Sequence, residues 1–188
     1  MPDLGDVPWP PAPIETTRLT LRRTQARDRA GYIELMCSDD VQRYLGGPLP
    51  REDAEQAAPE VPGNRPRVFA VEADGTFIGT VTVDRRDPDR PGHLRPHGHE
   101  VEVGCLFLPS VWGSGYATEA VAGVLAWIDD VLPDEPVVLC TQRANDASVR
   151  LAVRLGFVEK ENFVEFDAEQ WFGVRMPEIR LSATHPQR

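Results

Sequence analysis

The sequence predicts one α/β or α+β domain built on a mixed sheet, and three observations lead there. Short β-type segments alternate with helical ones along the chain. One strong two-residue hairpin signal, Asp74-Gly75, joins two of them, while two apolar strands each run directly into a helix. There is no internal repeat and no second apolar core in 188 residues. A chain of this length can bury roughly 70% of its unfolded surface, so it needs neither disulfides nor a metal for stability. Its 41% hydrophobic and 27% charged residues are those of a globular protein rather than a disordered one.

The elements follow in order. Residues 1–13 hold five prolines and read as an extended tail or edge arm. Arg18 to Arg22 alternates apolar and basic residues, the period of a half-buried strand. Asp28 is a candidate cap for a helix to about Cys37, Asp39 to Leu45 reads as a second short helix, and Pro50 to Ala58 as a third. Arg67 to Ala73 and Thr76 to Asp84 flank the Asp74-Gly75 turn as strands. Arg85 to Gly98 is a long loop, and Glu100 to Leu108 is a strand that turns fully apolar as it enters a core. Pro109 ends it, and the next helix carries Ala117, Ala120, Val121, Val124, Leu125 and Ile128 on one face. Val137 to Thr141 is a buried strand, Asn145 caps the following helix, and Gly156 ends that helix with Phe157 behind it. Val158 to Phe166 and Val174 to Leu181 close the chain as strands. The domain is expected over residues 14–182, with a proline-rich tail before it and a C-terminal tail at 183–188.

Charge and composition narrow the function. Thirty acidic against 20 basic residues give a formal net charge of −10, which disfavours nucleic acid and anionic membrane surfaces and favours a cationic partner. No stretch approaches the ~20 apolar residues of a membrane span, and the N-terminus lacks the pattern of a signal peptide. Cys37, Cys105 and Cys140 are scattered and odd in number, which points to reduced thiols and a cytoplasmic location. His93, His97 and His99 match no standard metal cluster, so no metal is expected.

The most informative segment is the strand-to-helix run from Pro109 to Ala120, with glycines at 113 and 115. Such glycines let successive N–H groups point into one concavity at a helix N-terminus, a fit for phosphate. No Gly-Lys-Ser/Thr follows, which excludes a Walker loop, and a third glycine is missing for a Rossmann turn. Downstream lies Arg143-Ala-Asn-Asp-Ala-Ser-Val-Arg-Leu-Ala-Val-Arg-Leu-Gly-Phe. With this second motif, and with Ile14-Glu-Thr-Thr-Arg-Leu-Thr-Leu-Arg, Val71-Glu-Ala-Asp-Gly-Thr-Phe-Ile-Gly and Glu102-Val-Gly, the chain resembles the GNAT superfamily of acyl-CoA-dependent N-acyltransferases. Within it the chain looks like the RimJ/RimL-like branch of ribosomal-protein N-terminal acetyltransferases.

The resemblance implies a mixed, mostly antiparallel sheet splayed between its fourth and fifth strands, Glu100–Leu108 and Val137–Thr141. Acetyl-CoA, or another acyl-CoA such as succinyl-CoA, would lie in the splay as cosubstrate. Its pantetheine would pair with backbone near Leu106, Phe107 and Leu108, and its pyrophosphate would sit on amides of Trp112, Gly113, Ser114, Gly115, Tyr116, Ala117 and Thr118. Ser110 stands where the superfamily usually has Gln or Arg. Asn145 is either a helix cap or a partner of the cofactor arm. A tyrosine acid is common one turn after Ser148, but Ala152 occupies that place, so Ser148 or water would protonate the departing thiolate. Glu102 is the expected base, on the strand face shared with Gly104 and Leu106, and Glu100 is the second choice. Cys105 alternates to the other face and reads as inert packing, as does Cys140. Arg150 and Arg154 read as solvated helix charges. The expected reaction is direct attack by a primary amine, from a protein N-terminus or a small cationic amine, in a ternary complex. A non-catalytic acyl-CoA sensor is the alternative, and a homodimer through the C-terminal strands stays open.

Overall fold

The computed structural model describes Leu4, Val7, Trp9, residues 11–62 and residues 67–177. Among these, eight strands form one sheet: β1 (Ile14–Glu15), β2 (Leu19–Arg23), β3 (Val68–Ala73), β4 (Thr76–Arg85), β5 (Val101–Phe107), β6 (Val137–Gln142), β7 (Val158–Glu165) and β8 (Ala168–Arg175). The helices are α1 (Arg29–Cys37), α2 (Asp39–Gln42), α3 (Arg51–Ala57), α4 (Tyr116–Val131) and α5 (Asp146–Arg154). Strand order is β1-β2-β3-β4-β5-β6-β8-β7, and every neighbouring pair is antiparallel except β5 and β6.

The parallel pair is where the sheet opens. β5 and β6 meet only at Val101↔Val137 and Glu102↔Val138. Beyond that point β5 runs on to Phe107 paired with β4, and β6 runs on to Gln142 paired with β8. This is the expected splay. Ile14–Glu15 adds an edge strand, so the expected fourth and fifth strands are β5 and β6.

Local chemistry accounts for most turns. Asp74 (φ 48°) and Gly75 (φ 73°) are both left-handed, as a two-residue type I′ hairpin requires. α5 ends in a Schellman motif: Gly156 (φ 85°) donates to the Val153 carbonyl, and Phe157 donates to that of Ala152. Two expectations are corrected. Among the described residues the last strand is Ala168–Arg175, which begins before the expected Val174–Leu181 because the chain reverses at Phe166-Asp167 (φ 53° and 57°). The Gln170 side chain closes that turn on the carbonyls of Glu165 and Ala168. Residues 178–181 lie outside the described ones, as does the tail at 183–188. Asp28 precedes α1 but does not cap it. Its carboxylate instead receives both terminal nitrogens of Arg22 at 2.8 Å and the Gln25 N–H at 2.7 Å.

The core lies between the sheet and α4. Ala120, Val121, Val124, Leu125 and Ile128 are buried against Leu21, Val71, Val81, Val83, Val101 and Val103. Each of the valine, leucine and isoleucine side chains contributes about 2 kcal/mol by leaving water. Residues before β1 join this core: Leu4 is buried, and Trp9 meets the Phe69 ring edge-on at 4.9 Å. Phe69 in turn meets Trp127 of α4 at 5.5 Å. No helix among the described residues is long and apolar enough to cross a membrane.

Candidate active site

β5 forms one wall of the splay, and its residue parity decides what each side presents. Arg86 N–H donates to the Glu100 carbonyl, and Leu108 N–H to that of Ile78. With the uninterrupted β4–β5 register, antiparallel alternation turns the backbone groups of Glu102, Gly104, Leu106 and Leu108 toward β4. The N–H groups of Cys105 and Phe107 therefore face the gap. An arm lying there would meet these two rather than Leu106 or Leu108. The Phe107 carbonyl already accepts the indole N–H of the half-exposed Trp112 at 2.8 Å, which ties the loop after β5 to the end of that strand.

Side chains follow the same parity. Val101, Val103 and Phe107 are buried toward α4, with Cys105 packed beside them and its thiol pushed up to about 12 by burial. Glu102 lies on the opposite face, at the last pair before the strands part.

The loop after β5 prepares a helix N-terminus. Gly113 and Gly115 have φ of 77° and 79°, a left-handed conformation that a Cβ would strain. The α4 ladder begins with Glu119 N–H on the Gly115 carbonyl at 3.1 Å, which leaves the amides of Tyr116, Ala117 and Thr118 without an intrahelical partner. Free amides and the positive end of the helix dipole together suit a phosphate. This arrangement fits the pyrophosphate of an acyl-CoA.

A clamp from the turn between β1 and β2 holds this loop. Arg18 donates to both Glu119 (Nε to Oε2, 2.7 Å) and the Ser114 carbonyl (3.0 Å), and stacks over the Tyr116 ring at 4.5 Å. Glu119 also accepts the Thr16 hydroxyl at 2.6 Å and the Arg18 N–H at 2.8 Å. The Thr16 hydroxyl first, and then Arg18, hold the Glu119 carboxyl below its ordinary 4.5 despite partial burial. Its contribution to stability is therefore fully present above pH 4.5 and is lost as pH falls through the lower folded value. Glu119→Gln is expected to flatten melting temperature against pH in that acid range.

On the other wall, the Asn145 side chain accepts the Ser148 N–H at 3.2 Å, so Asn145 is a helix cap. Its amide nitrogen and the Ser148 hydroxyl make no hydrogen bond among the described residues, and Ser148 stands half-buried in the first turn of α5. Arg150 pairs loosely with Asp146 at 3.9 Å on the exposed side of that helix.

The two candidate carboxylates differ sharply. Glu100 is fully buried and saturated: it accepts the N–H groups of Leu94 and Arg95 at 2.7 and 2.8 Å and meets His93 Nδ1 at 2.9 Å. Burial would raise its carboxyl, but His93 and these amides outweigh burial and hold it low. It anchors the 86–100 loop and is a poor base. Glu102 accepts one bond on Oε1, from Arg86 Nη1 at 2.6 Å, and its side chain keeps 18% exposure. Burial pushes its carboxyl above the ordinary value against the pull of Arg86 and Arg90. A carboxylate with a raised proton affinity and a spare oxygen suits a general base. Cys140 is raised by burial in the same neighbourhood. A cavity of about 680 Å³ opens on the α1 side of the β5 end, lined by Glu34, Cys37, Leu49, Arg51 and Leu108–Ser110. Among the described residues, no three His, Cys, Asp or Glu side chains gather as a metal site.

A family of proteins described as the acetyltransferase (GNAT) domain matches residues 18–158. The chain belongs to the GNAT acetyltransferase family. It is 28% identical over 153 residues to YoaA, an uncharacterized N-acetyltransferase of Bacillus subtilis, covering 77% of this chain and 81% of that one. A GNAT-family acetyltransferase of Bacillus anthracis has the same fold, with a TM-score of 0.72 at 20% identity, covering 87% of this chain and 98% of the other. RimL, the ribosomal L7/L12 alpha-N-protein acetyltransferase solved with coenzyme A, scores 0.68 at 14% identity, covering 88% and 98%. The fold likeness thus extends across the family and does not single out the RimJ/RimL branch.

The fold of this GNAT domain also brings together pairs that its sequence did not disclose. Arg18 and Glu119 lie 101 positions apart, and Arg86 and Glu102 lie 16 apart across a loop. The available signal was one of type only: an arginine and a glutamate on elements later found adjacent.

Proposed function

We propose that this N-acetyltransferase moves an acetyl group from acetyl-CoA to a primary amine by direct attack in a ternary complex. The observation that carries the reading is the union of a splay, a carboxylate at its closed end and a left-handed glycine loop at the end of its β5 wall. Acetyl-CoA supplies an activated acyl thioester. The amides of Gly113 to Thr118 hold its pyrophosphate, and the Cys105 and Phe107 N–H groups, lying on the gap side of β5, receive the pantetheine arm. Glu102 takes the proton of the incoming ammonium so that a neutral amine attacks the carbonyl carbon. As the C–S bond breaks, the Ser148 hydroxyl or a water gives the thiolate a proton and recovers one from the nitrogen of the newly formed amide, while the proton taken by Glu102 passes to solvent. Asn145 keeps Ser148 in place by capping α5.

The acceptor is a cationic amine, either a protein N-terminus or a small polyamine-like molecule. A net charge of −10 supports that class. The protein N-terminus is the RimJ/RimL-like version of this reading, supported by the likeness to RimL. Reduced, partly buried cysteines accord with a cytoplasmic setting. The test is release of free CoA thiol from acetyl-CoA and from succinyl-CoA, with spermidine, an aminoglycoside and a basic peptide with a free α-amine as acceptors. Thiol release that requires both acetyl-CoA and one amine is expected. Binding of CoA without turnover on any amine would instead make the domain an acyl-CoA sensor.

A further inference from the structure

The connection between β4 and β5 is far longer than a hairpin needs, and its course is set by one arginine. Arg86 is fully buried, a placement an arginine accepts only when its donors are satisfied. Nε donates to the Gly92 carbonyl at 2.6 Å, Nη2 to that of Pro91, and Nη1 to Glu102 Oε1 at 2.6 Å. The guanidinium lies over the rings of Phe172 and Phe163, at 5.1 and 5.9 Å. These rings belong to β8 and β7, on the sheet face that carries Glu102. The loop is tied down further by Arg90 on Glu165 (2.8 and 2.7 Å) and by Glu100. Arg86 thus joins the loop, the β7–β8 hairpin and the carboxylate at the closed end of the splay.

We infer that Arg86 is the positioning residue of Glu102. Its planar fork, held by two loop carbonyls and two aromatic faces, fixes one carboxylate oxygen and leaves the other to accept the proton. This rests on the reading of Glu102 as the base. The geometry explains why an arginine stands here: lysine carries the charge but cannot span two carbonyls and a carboxylate at once. Other charged or titratable groups acting on Glu102 are Arg90, Asp84 and Cys140. Of these, Arg86 alone is hydrogen-bonded to the carboxylate among the described residues.

The test follows the Glu102 carboxyl carbon by ¹³C NMR through a pH titration of the full chain, with Glu102→Gln assigning the signal. In Arg86→Gln the carboxyl is expected to titrate roughly one to three pH units higher than in the parent, as loss of a contacting cation demands. Arg86→Lys should fall between the two. An unchanged titration in a folded variant overturns the inference. If Arg86→Gln does not fold, Arg86→Lys decides on the same readout. The kinetic arm uses the amine that turns over fastest. Arg86→Gln should lower kcat roughly 10–100-fold with acetyl-CoA affinity unchanged. The Arg86→Gln/Glu102→Gln double variant should be no slower than Glu102→Gln alone. Losses that multiply in the double variant would overturn the positioning role. A fully active Glu102→Gln enzyme would instead sink the base assignment, and the NMR arm separates that failure from this one.

Discussion

Replacing Glu102 with Gln is expected to lower kcat by roughly 10²–10⁴-fold and to leave acetyl-CoA affinity as it was. The amide matches the carboxylate in volume and keeps an oxygen for Arg86, so the β5–β6 junction and the loop anchored on it should survive. What is lost is the ability to accept a proton. In the parent, kcat/KM should rise with pH as Glu102 ionises, at a value displaced upward from 4.5 by burial. In the variant that acid limb should vanish, leaving only the ionisation of the amine. Saturation kinetics across pH will separate these outcomes. A variant that turns over like the parent removes Glu102 from the chemistry and moves attention to water held near Ser148.

The second large effect concerns the fold. Phe69→Ala is expected to cost about 3–5 kcal/mol, since it deletes a fully buried ring and leaves a cavity that the sheet cannot close. Phe69 is the middle of three rings: Trp9 stands edge-on at 4.9 Å and Trp127 at 5.5 Å. Its loss therefore loosens both the N-terminal residues and α4, whose first turn carries the amides proposed to hold the pyrophosphate. For a chain of this size the melting temperature should fall by roughly 10 °C. Val164→Ser on the exposed edge strand is the matched control, and it should change stability by no more than about 0.5 kcal/mol. A Phe69→Ala protein as stable as the parent would show that the three rings are not a structural unit.

Much of the architecture could be read from the sequence because its signals are local. Asp74-Gly75, Asn145 and Gly156 each act through their own backbone conformation or first-turn hydrogen bond, and all three do what their residue type suggests. The place of Glu102 opposite Cys105 followed from strand alternation alone. The hairpin at Phe166-Asp167 was hidden because a phenylalanine with positive φ carries no turn signature. Asp28 is a good capping residue by type, yet a buried Arg22 captured it, a contest between local and tertiary partners that no window of sequence displays. The same holds at the site. Glycines 113 and 115 take the left-handed conformation expected of them, but the Arg18–Glu119 clamp needs the β1–β2 turn brought against α4. Equally, Arg86 gains its role only when the 86–100 loop folds back over β7 and β8. The backbone parity of β5, which turns Cys105 and Phe107 rather than Leu106 toward the gap, depends on a register with β4 that the sequence does not state.

Amide hydrogen exchange with and without acetyl-CoA tests the central claim most directly, because it reads the binding groups themselves. Saturating acetyl-CoA should slow exchange at Gly113 to Thr118 and at Cys105 and Phe107, leave Leu106 unchanged, and do so where ATP does not. Protection confined to α1 and the α3 side, or none in a folded protein at saturation, would contradict an acyl-CoA site in the β5–β6 splay.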